Sequence, residues 1–253
     1  MLTLVAVALL VGILTVPAHA EPAARLTEMR LHVPILLYHY IRANPDPRDV
    51  AGQQLSVAPA EFARQMDWLA AHGYHPTTLE RARLSLENAS YLPTRAVILT
   101  FDDGYADLYT AAYPVLKRHA FPATAFIPSS YPGRPGYVTW AQLREMAGSG
   151  LLFVGSHTVG HIDLTRVGRD QAATEIARSK AELEDQLGQP VQYLAFPNGH
   201  STAALQALTR TSGYNGALGV WTGSSLTFSR RYNWPRITVQ GTDSLTRFAG
   251  YLR

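Results

Sequence analysis

The chain has 253 residues, 47% hydrophobic and 16% charged, enough apolar material for one sizeable core or two small ones. Its net charge of +3 is spread along the sequence with no basic run or basic helix, so nucleic acid is not an expected partner. There is no cysteine, which excludes disulfides and thiolate metal sites and leaves His and carboxylate as the only strong metal ligands.

Residues Met1 to Ala20 are almost unbroken apolar sequence ending Pro17-Ala18-His19-Ala20, where Ala18 and Ala20 supply an A-x-A cleavage pattern. The segment 1–20 is read as a signal peptide, and export to the periplasm or beyond is expected. No Lys or Arg precedes the apolar stretch, so either the true start lies upstream or the segment stays as an uncleaved N-terminal anchor. Residues 21–32 read as a polar lead-in and 33–253 as one domain.

Val33 to Tyr38 reads as a short buried strand with His39 at its exit, and Asn44 to Asp49 as loop. A helix beginning near Pro59 turns Phe62, Met66 and Leu69 inward and stops near Gly73. His75 to Leu79 is a second strand and Glu80 to Glu87 a short helix. The run Ala96-Val97-Ile98-Leu99-Thr100-Phe101 is a central buried strand that stops abruptly at Asp102-Asp103-Gly104. A helix over Asp107–His119 follows, with Pro114 arguing for a kink or break inside it. Ala123–Ile127 is a strand, Pro128–Gly136 a loop, and Trp140–Met146 a helix. Leu151–Gly155 is a strand running into Ser156-His157, and Gln171–Leu187 an amphipathic helix ended by Gly188. Strands over 191–196, 216–221 and 236–239, and helices over 202–211 and 244–252, complete the chain. About seven or eight strands alternate with helices, the pattern of an α/β parallel sheet or a distorted (β/α) barrel.

Two acids at a strand exit stand where α/β proteins keep their chemistry. They repel one another, so a cation or proton must hold them, unless Asp-Gly is only a solvated turn. A second strand exit carries Ser156-His157-Thr158-Val159-Gly160-His161, and histidines at i and i+4 share a face if that turn is helical. Asp103, His157 and His161 are thus read as a His-His-carboxylate site that suits Zn²⁺, with Co²⁺, Ni²⁺ or Fe²⁺ as alternatives. Such an ion acidifies water and polarises a carbonyl, leaving Asp102 as the base and His39 as a candidate acid. A hydrogen-bonded structural histidine is the plain alternative at each His.

Thr100-Phe101-Asp102-Asp103-Gly104 together with Ser156-His157-Thr158-Val159-Gly160-His161 resembles the first two motifs of the polysaccharide deacetylases, the NodB-like homology group of carbohydrate esterase family 4. The resemblance implies a distorted barrel, Asp102 as catalytic base, and Asp103, His157 and His161 as metal ligands. Pro34-Ile35-Leu36-Leu37-Tyr38-His39 and Trp234-Pro235-Arg236-Ile237-Thr238-Val239 are similar to the poly-N-acetylglucosamine deacetylase branch, in which the acid histidine comes from the N-terminal Tyr-His motif. That implies His39 as the acid and 33–253 as the catalytic domain. The third motif departs from the family's Tyr-Pro-Tyr-Gly: here it is Ala195-Phe196-Pro197-Asn198-Gly199. The backbone N–H of Asn198 can still serve an oxyanion, because that role needs no side chain. Arg236 is read as holding Asp102 ionised, with a structural pairing elsewhere as the equal alternative. Tyr105, Tyr137, Trp140, Trp221 and Trp234 are candidates for a sugar platform, Tyr105 foremost, with ordinary core packing as the alternative for each. The expected activity is hydrolysis of the acetamide of N-acetylglucosamine-containing glycans, releasing acetate. An O-acetyl esterase of the xylan type and a non-catalytic glycan-binding relative are the alternatives. No further glycan-binding domain is expected after the barrel, and no stable protein partner.

Overall fold

The computed structural model describes residues 28–253. The expected signal segment at 1–20 lies outside the described residues, as does most of the lead-in. In chain order the elements are β1 (Arg30–His32), β2 (Ile35–Tyr38), α1 (Val50–Leu55), α2 (Pro59–Ala71), β3 (His75–Thr77), α3 (Leu79–Asn88) and β4 (Ala96–Asp102). They continue as α4 (Tyr113–His119), β5 (Ala123–Ile127), α5 (Trp140–Gly148), β6 (Leu152–Ser156), α6 (Arg169–Leu187) and β7 (Tyr193–Ala195). The last are α7 (Ala203–Thr211), β8 (Gly216–Leu218), β9 (Ser225–Thr227), β10 (Ile237–Thr238) and α8 (Leu245–Gly250).

The main sheet runs β10-β2-β4-β5-β6-β7-β8, with β3 also paired to β4, and every pairing in it is parallel. Its two edges meet through Trp234, which lies just ahead of β10 and forms a parallel bridge with Leu218 of β8. The Trp234 N–H donates to Ala217 O and the Gly219 N–H to Trp234 O, both at 3.0 Å. The sheet therefore curls into the distorted barrel that the strand–helix alternation predicts.

Strand alternation divides the core in two. On β4, Val97, Leu99 and Phe101 face the outer core, which they share with Phe62 and Met66 of α2 and Ile176 and Leu183 of α6, Phe101 meeting Phe62 edge to face. Ala96 and Ile98 face inward with Val33, Ile35, Phe126, Leu218 and Trp234, and α3 adds Leu79, Ala82 and Leu86 to this inner cluster. Asp102 continues the inward set at the top of the barrel, which is why a carboxylate there ends up buried.

Four features differ from the sequence reading. The helix expected over 107–119 is two pieces: a π-turn at Leu108–Ala112, then α4. Pro114 sits in the first turn of α4, where its missing N–H is not needed, and the wider turn absorbs the break. A short α1 follows the expected loop over residues to which the sequence reading gave no element, capped by Asp49, whose carboxylate accepts from the Gly52 N–H. The lead-in is not wholly irregular, since β1 pairs antiparallel with β9. Trp234, expected near the sugar, is fully buried in the barrel, with its indole N–H donating to Thr227 O at 3.0 Å. Because it closes the barrel as well as filling it, Trp234→Ala is expected to cost about 3–5 kcal/mol in chemical denaturation, the range for a buried aromatic.

Candidate active site

β4 delivers the two acids on opposite sides of a sharp bend. Asp103 (φ +71°) and Gly104 (φ +72°) are consecutive left-handed residues, which turn the chain off the strand at once. Glycine suits position 104 because of that left-handed backbone, and a Cβ there would also push Ile127 Cδ1, 2.8 Å away, aside. Asp102, 3% exposed, is gripped by a two-pronged guanidinium. Arg236 Nη1–H donates to Oδ1 at 2.7 Å and Nη2–H to Oδ2 at 2.8 Å, while Nε–H donates to Gly219 O at 2.9 Å. Burial works against the Asp102 charge, but Arg236, His157 and His39 outweigh it and hold the carboxyl at about 2. Of the two partners the sequence leaves open for Arg236, Asp102 or a group elsewhere, the structure shows Asp102.

The histidines converge, though not on a helix face. Residues 157–161 form a turn in which Thr158 (φ +65°) and His161 (φ +55°) are left-handed, and the two imidazole centroids lie 4.6 Å apart. A β-branched residue in that conformation is costly and persists only where its surroundings fix it. Thr158 is fixed on three sides: its N–H donates to Ser156 Oγ, its carbonyl accepts from the Ser129 N–H, and its hydroxyl accepts from the His161 N–H. Glu175 of α6, unnoticed in the sequence, holds the same turn by accepting from the Val159 and Gly160 N–H groups at 2.9 and 3.0 Å.

His157 Nδ1–H donates to Ala195 O at 2.7 Å, so its Nε2 carries a lone pair when the ring is neutral. Burial, opposed by the Asp102 and Asp103 charges, holds the ring below its ordinary range. That lone pair faces Asp103 Oδ1 at 3.5 Å and Asp102 Oδ2 at 3.6 Å. His161 Nε2 lies 3.3 Å from the same Asp103 Oδ1. One ligand atom each from Asp103, His157 and His161 lies within 4.8 Å of the others. Asp103 Oδ1 is buried without a hydrogen-bond partner. Two imidazole nitrogens around an orphaned carboxylate oxygen, with no hydrogen-bond donor from the described residues on that oxygen, fit a divalent cation.

The remaining predicted residues surround this group. His39, at the exit of β2, is half-buried with its Nδ1 unpartnered, and its charge is felt at Asp102. Asn198 follows β7 in a tight turn, exposed and left-handed at φ +57°. The Gly199 and His200 N–H groups of that turn are bonded to Phe196 O and Pro197 O, whereas no backbone bond uses the Asn198 N–H. Tyr105 is packed between Tyr40 and Tyr137, at ring-centroid distances of 3.8 and 5.2 Å. Its faces are occupied, so its hydroxyl edge is what it offers. Burial first, and then the Asp103 charge, push its phenol well above the ordinary range. Trp140 packs half-buried against the outer core and Trp221 lies under the Arg230 guanidinium.

The model of the polysaccharide deacetylase family matches residues 89–217. The chain belongs to that family. The match takes in Asp102, Asp103, His157, His161 and Asn198, while His39 and Arg236 come from segments on either side of it. Among polysaccharide deacetylase relatives, YxkH of Bacillus subtilis is 32% identical over 227 residues, covering 89% of this chain and 78% of that protein. The poly-β-1,6-N-acetyl-D-glucosamine N-deacetylase of Staphylococcus aureus is 30% identical over 144 residues, covering 55% of this chain and 48% of that protein. This chain thus matches under half the length of that second relative. The solved Streptococcus pyogenes deacetylase PplD, in complex with acetate, superposes with a TM-score of 0.81 at 27% identity, covering 90% of this chain and 100% of that one. IcaB from Ammonifex degensii superposes at 0.77 and 28% identity, covering 87% and 97%.

Proposed function

We propose that this polysaccharide deacetylase is a metal-dependent N-deacetylase of N-acetylglucosamine-containing glycans, with Zn²⁺ as its ion. The observation that carries the reading is a carboxylate–imidazole–imidazole group beside a second, separately ionised carboxylate. Asp103, His157 and His161 would hold the ion. When bound, it acidifies water and polarises an acetamide carbonyl.

The chain's own residues supply the rest. Asp102, kept anionic by Arg236, takes the proton of the attacking water. The free Asn198 N–H donates to the oxyanion that develops on the carbonyl. His39 gives a proton to the departing amine, so acetate and a glucosamine unit result. Tyr105 lines the site with its hydroxyl edge. The name of the Staphylococcus relative supports poly-β-1,6-N-acetylglucosamine as the first glycan to try. Export to the periplasm or cell exterior is part of the same proposal, resting on the apolar N-terminal sequence.

Incubation with N-acetylglucosamine oligomers is expected to release acetate, to stop after chelation, and to resume when Zn²⁺ is restored. O-acetylated xylan is expected to release far less. A zinc-loaded protein that frees no acetate from any N-acetylated glycan would refute the proposal.

A further inference from the structure

The turns that carry His161 and Asn198 leave different strands, β6 and β7, yet they are joined side chain to side chain. His200 Nδ1–H donates to Asp163 Oδ2 at 2.9 Å. Asp163 lies just beyond His161 in the chain, and His200 just beyond Asn198. Asp163 is itself fixed, because its Oδ1 accepts from the Thr165 N–H at 3.0 Å and the Thr165 hydroxyl at 2.6 Å. The Asp163 side chain is 15% exposed and that of His200 60% exposed. His200 therefore contributes little through burial, and the bond to Asp163 is what its ring does.

On its other flank the Asn198 turn rests against Val220: a Cβ added to Gly199 would lie 2.5 Å from Val220 Cβ. The turn is thus gripped between Val220 and the Asp163–His200 bond. Both His161 and Asn198 hold left-handed backbones, conformations that persist where the surroundings over-determine them.

We propose that the Asp163–His200 pair is a clasp that fixes the spacing between the metal-ligand turn and the oxyanion turn, which makes His200 a positioning residue for deacetylation. The inference rests on the reading that the Asn198 N–H serves the oxyanion. The clasp needs only a proton on Nδ1, and the Nδ2–H group of asparagine stands at the same remove from the backbone. Asn at this position therefore keeps the bond and Ala removes it.

The test compares His200→Ala and His200→Asn in zinc-loaded protein. His200→Ala is expected to lower kcat roughly tenfold with KM within about twofold, short of the ~10²–10³ lost when an oxyanion donor is removed outright. His200→Asn is expected to restore most of kcat. Zinc affinity is expected to be unchanged in both, since no ligand is touched. Hydrogen exchange of the peptide covering 196–202 is expected to quicken in His200→Ala and return in His200→Asn, a readout that needs no substrate. Unaltered exchange in His200→Ala, or equal loss of kcat in the two variants, would overturn the clasp. Absence of acetate release by the wild-type protein would remove the proposed function instead, and the exchange comparison would still decide the clasp.

Discussion

Asp102→Asn is expected to lower acetate release by about 10²–10⁴-fold while zinc binding persists, the range for loss of a positioned general base. That is roughly 3–5 kcal/mol of transition-state stabilisation, far more than a surface change could supply. Asn keeps one acceptor oxygen for the Arg236 guanidinium but turns its NH2 toward the second Nη–H and removes the counter-charge, so some stability is lost and the rates are compared on protein shown to be folded. The three atoms that face one another, from Asp103, His157 and His161, are untouched. His157→Ala is the contrasting case: it removes one ligand atom and the bond to Ala195 O, so zinc affinity and turnover fall together. Zinc content measured beside initial rates separates the two outcomes. Asp102→Asn retaining turnover within about tenfold of wild type would take the base role from Asp102.

The contrast has a physical root that the sequence half reveals. The apolar run of β4 ending in two acids is a local signal, and so is a histidine pair at the exit of a later strand. Barrel topology alone then carries both to the same end of the sheet. Arg236 was legible only through the resemblance, because a buried guanidinium inside a strand-like segment has no local signature of its partner. Glu175 had no signal at all: on α6 it reads as one more charged residue of a solvent-facing stripe, and only the fold shows its carboxylate accepting from the turn before His161.

The failures have the same cause. The i, i+4 histidines suggested a helical face, yet left-handed residues at Thr158 and His161 bring the rings together, and those depend on contacts from Ser129 and Ser156. The aromatic content near strand ends suggested a platform, but sequence does not say which ring fills a barrel and which lines its mouth. Trp234 fills it, and Tyr105 is spent in a stack with Tyr40 and Tyr137. The three-residue β1 is too short for alternation to register, and its partner β9 lies far along the chain.

Arg236→Met is expected to destabilise the metal-free protein by about 3–5 kcal/mol at neutral pH, because it leaves the Asp102 charge buried without its partner. The pH dependence should also reverse. In the wild-type protein the Asp102 carboxyl is held at about 2, below its ordinary unfolded value near ~4, so its contribution is complete above that unfolded value and is lost as pH falls toward about 2. Without Arg236, burial is opposed only by His157 and His39, and the carboxyl rises. A group raised in the folded state is relieved by protonation, so the variant is expected to gain stability relative to wild type on going from pH 7 to pH 5. Arg236→Lys should recover only part of the loss. An ammonium does not meet both carboxylate oxygens and the Gly219 carbonyl together as the guanidinium does. Denaturant unfolding of the three proteins at the two pH values reads all of this, and a Met variant within about 1 kcal/mol of wild type at both would mean that the fork contributes no more than an exposed ion pair.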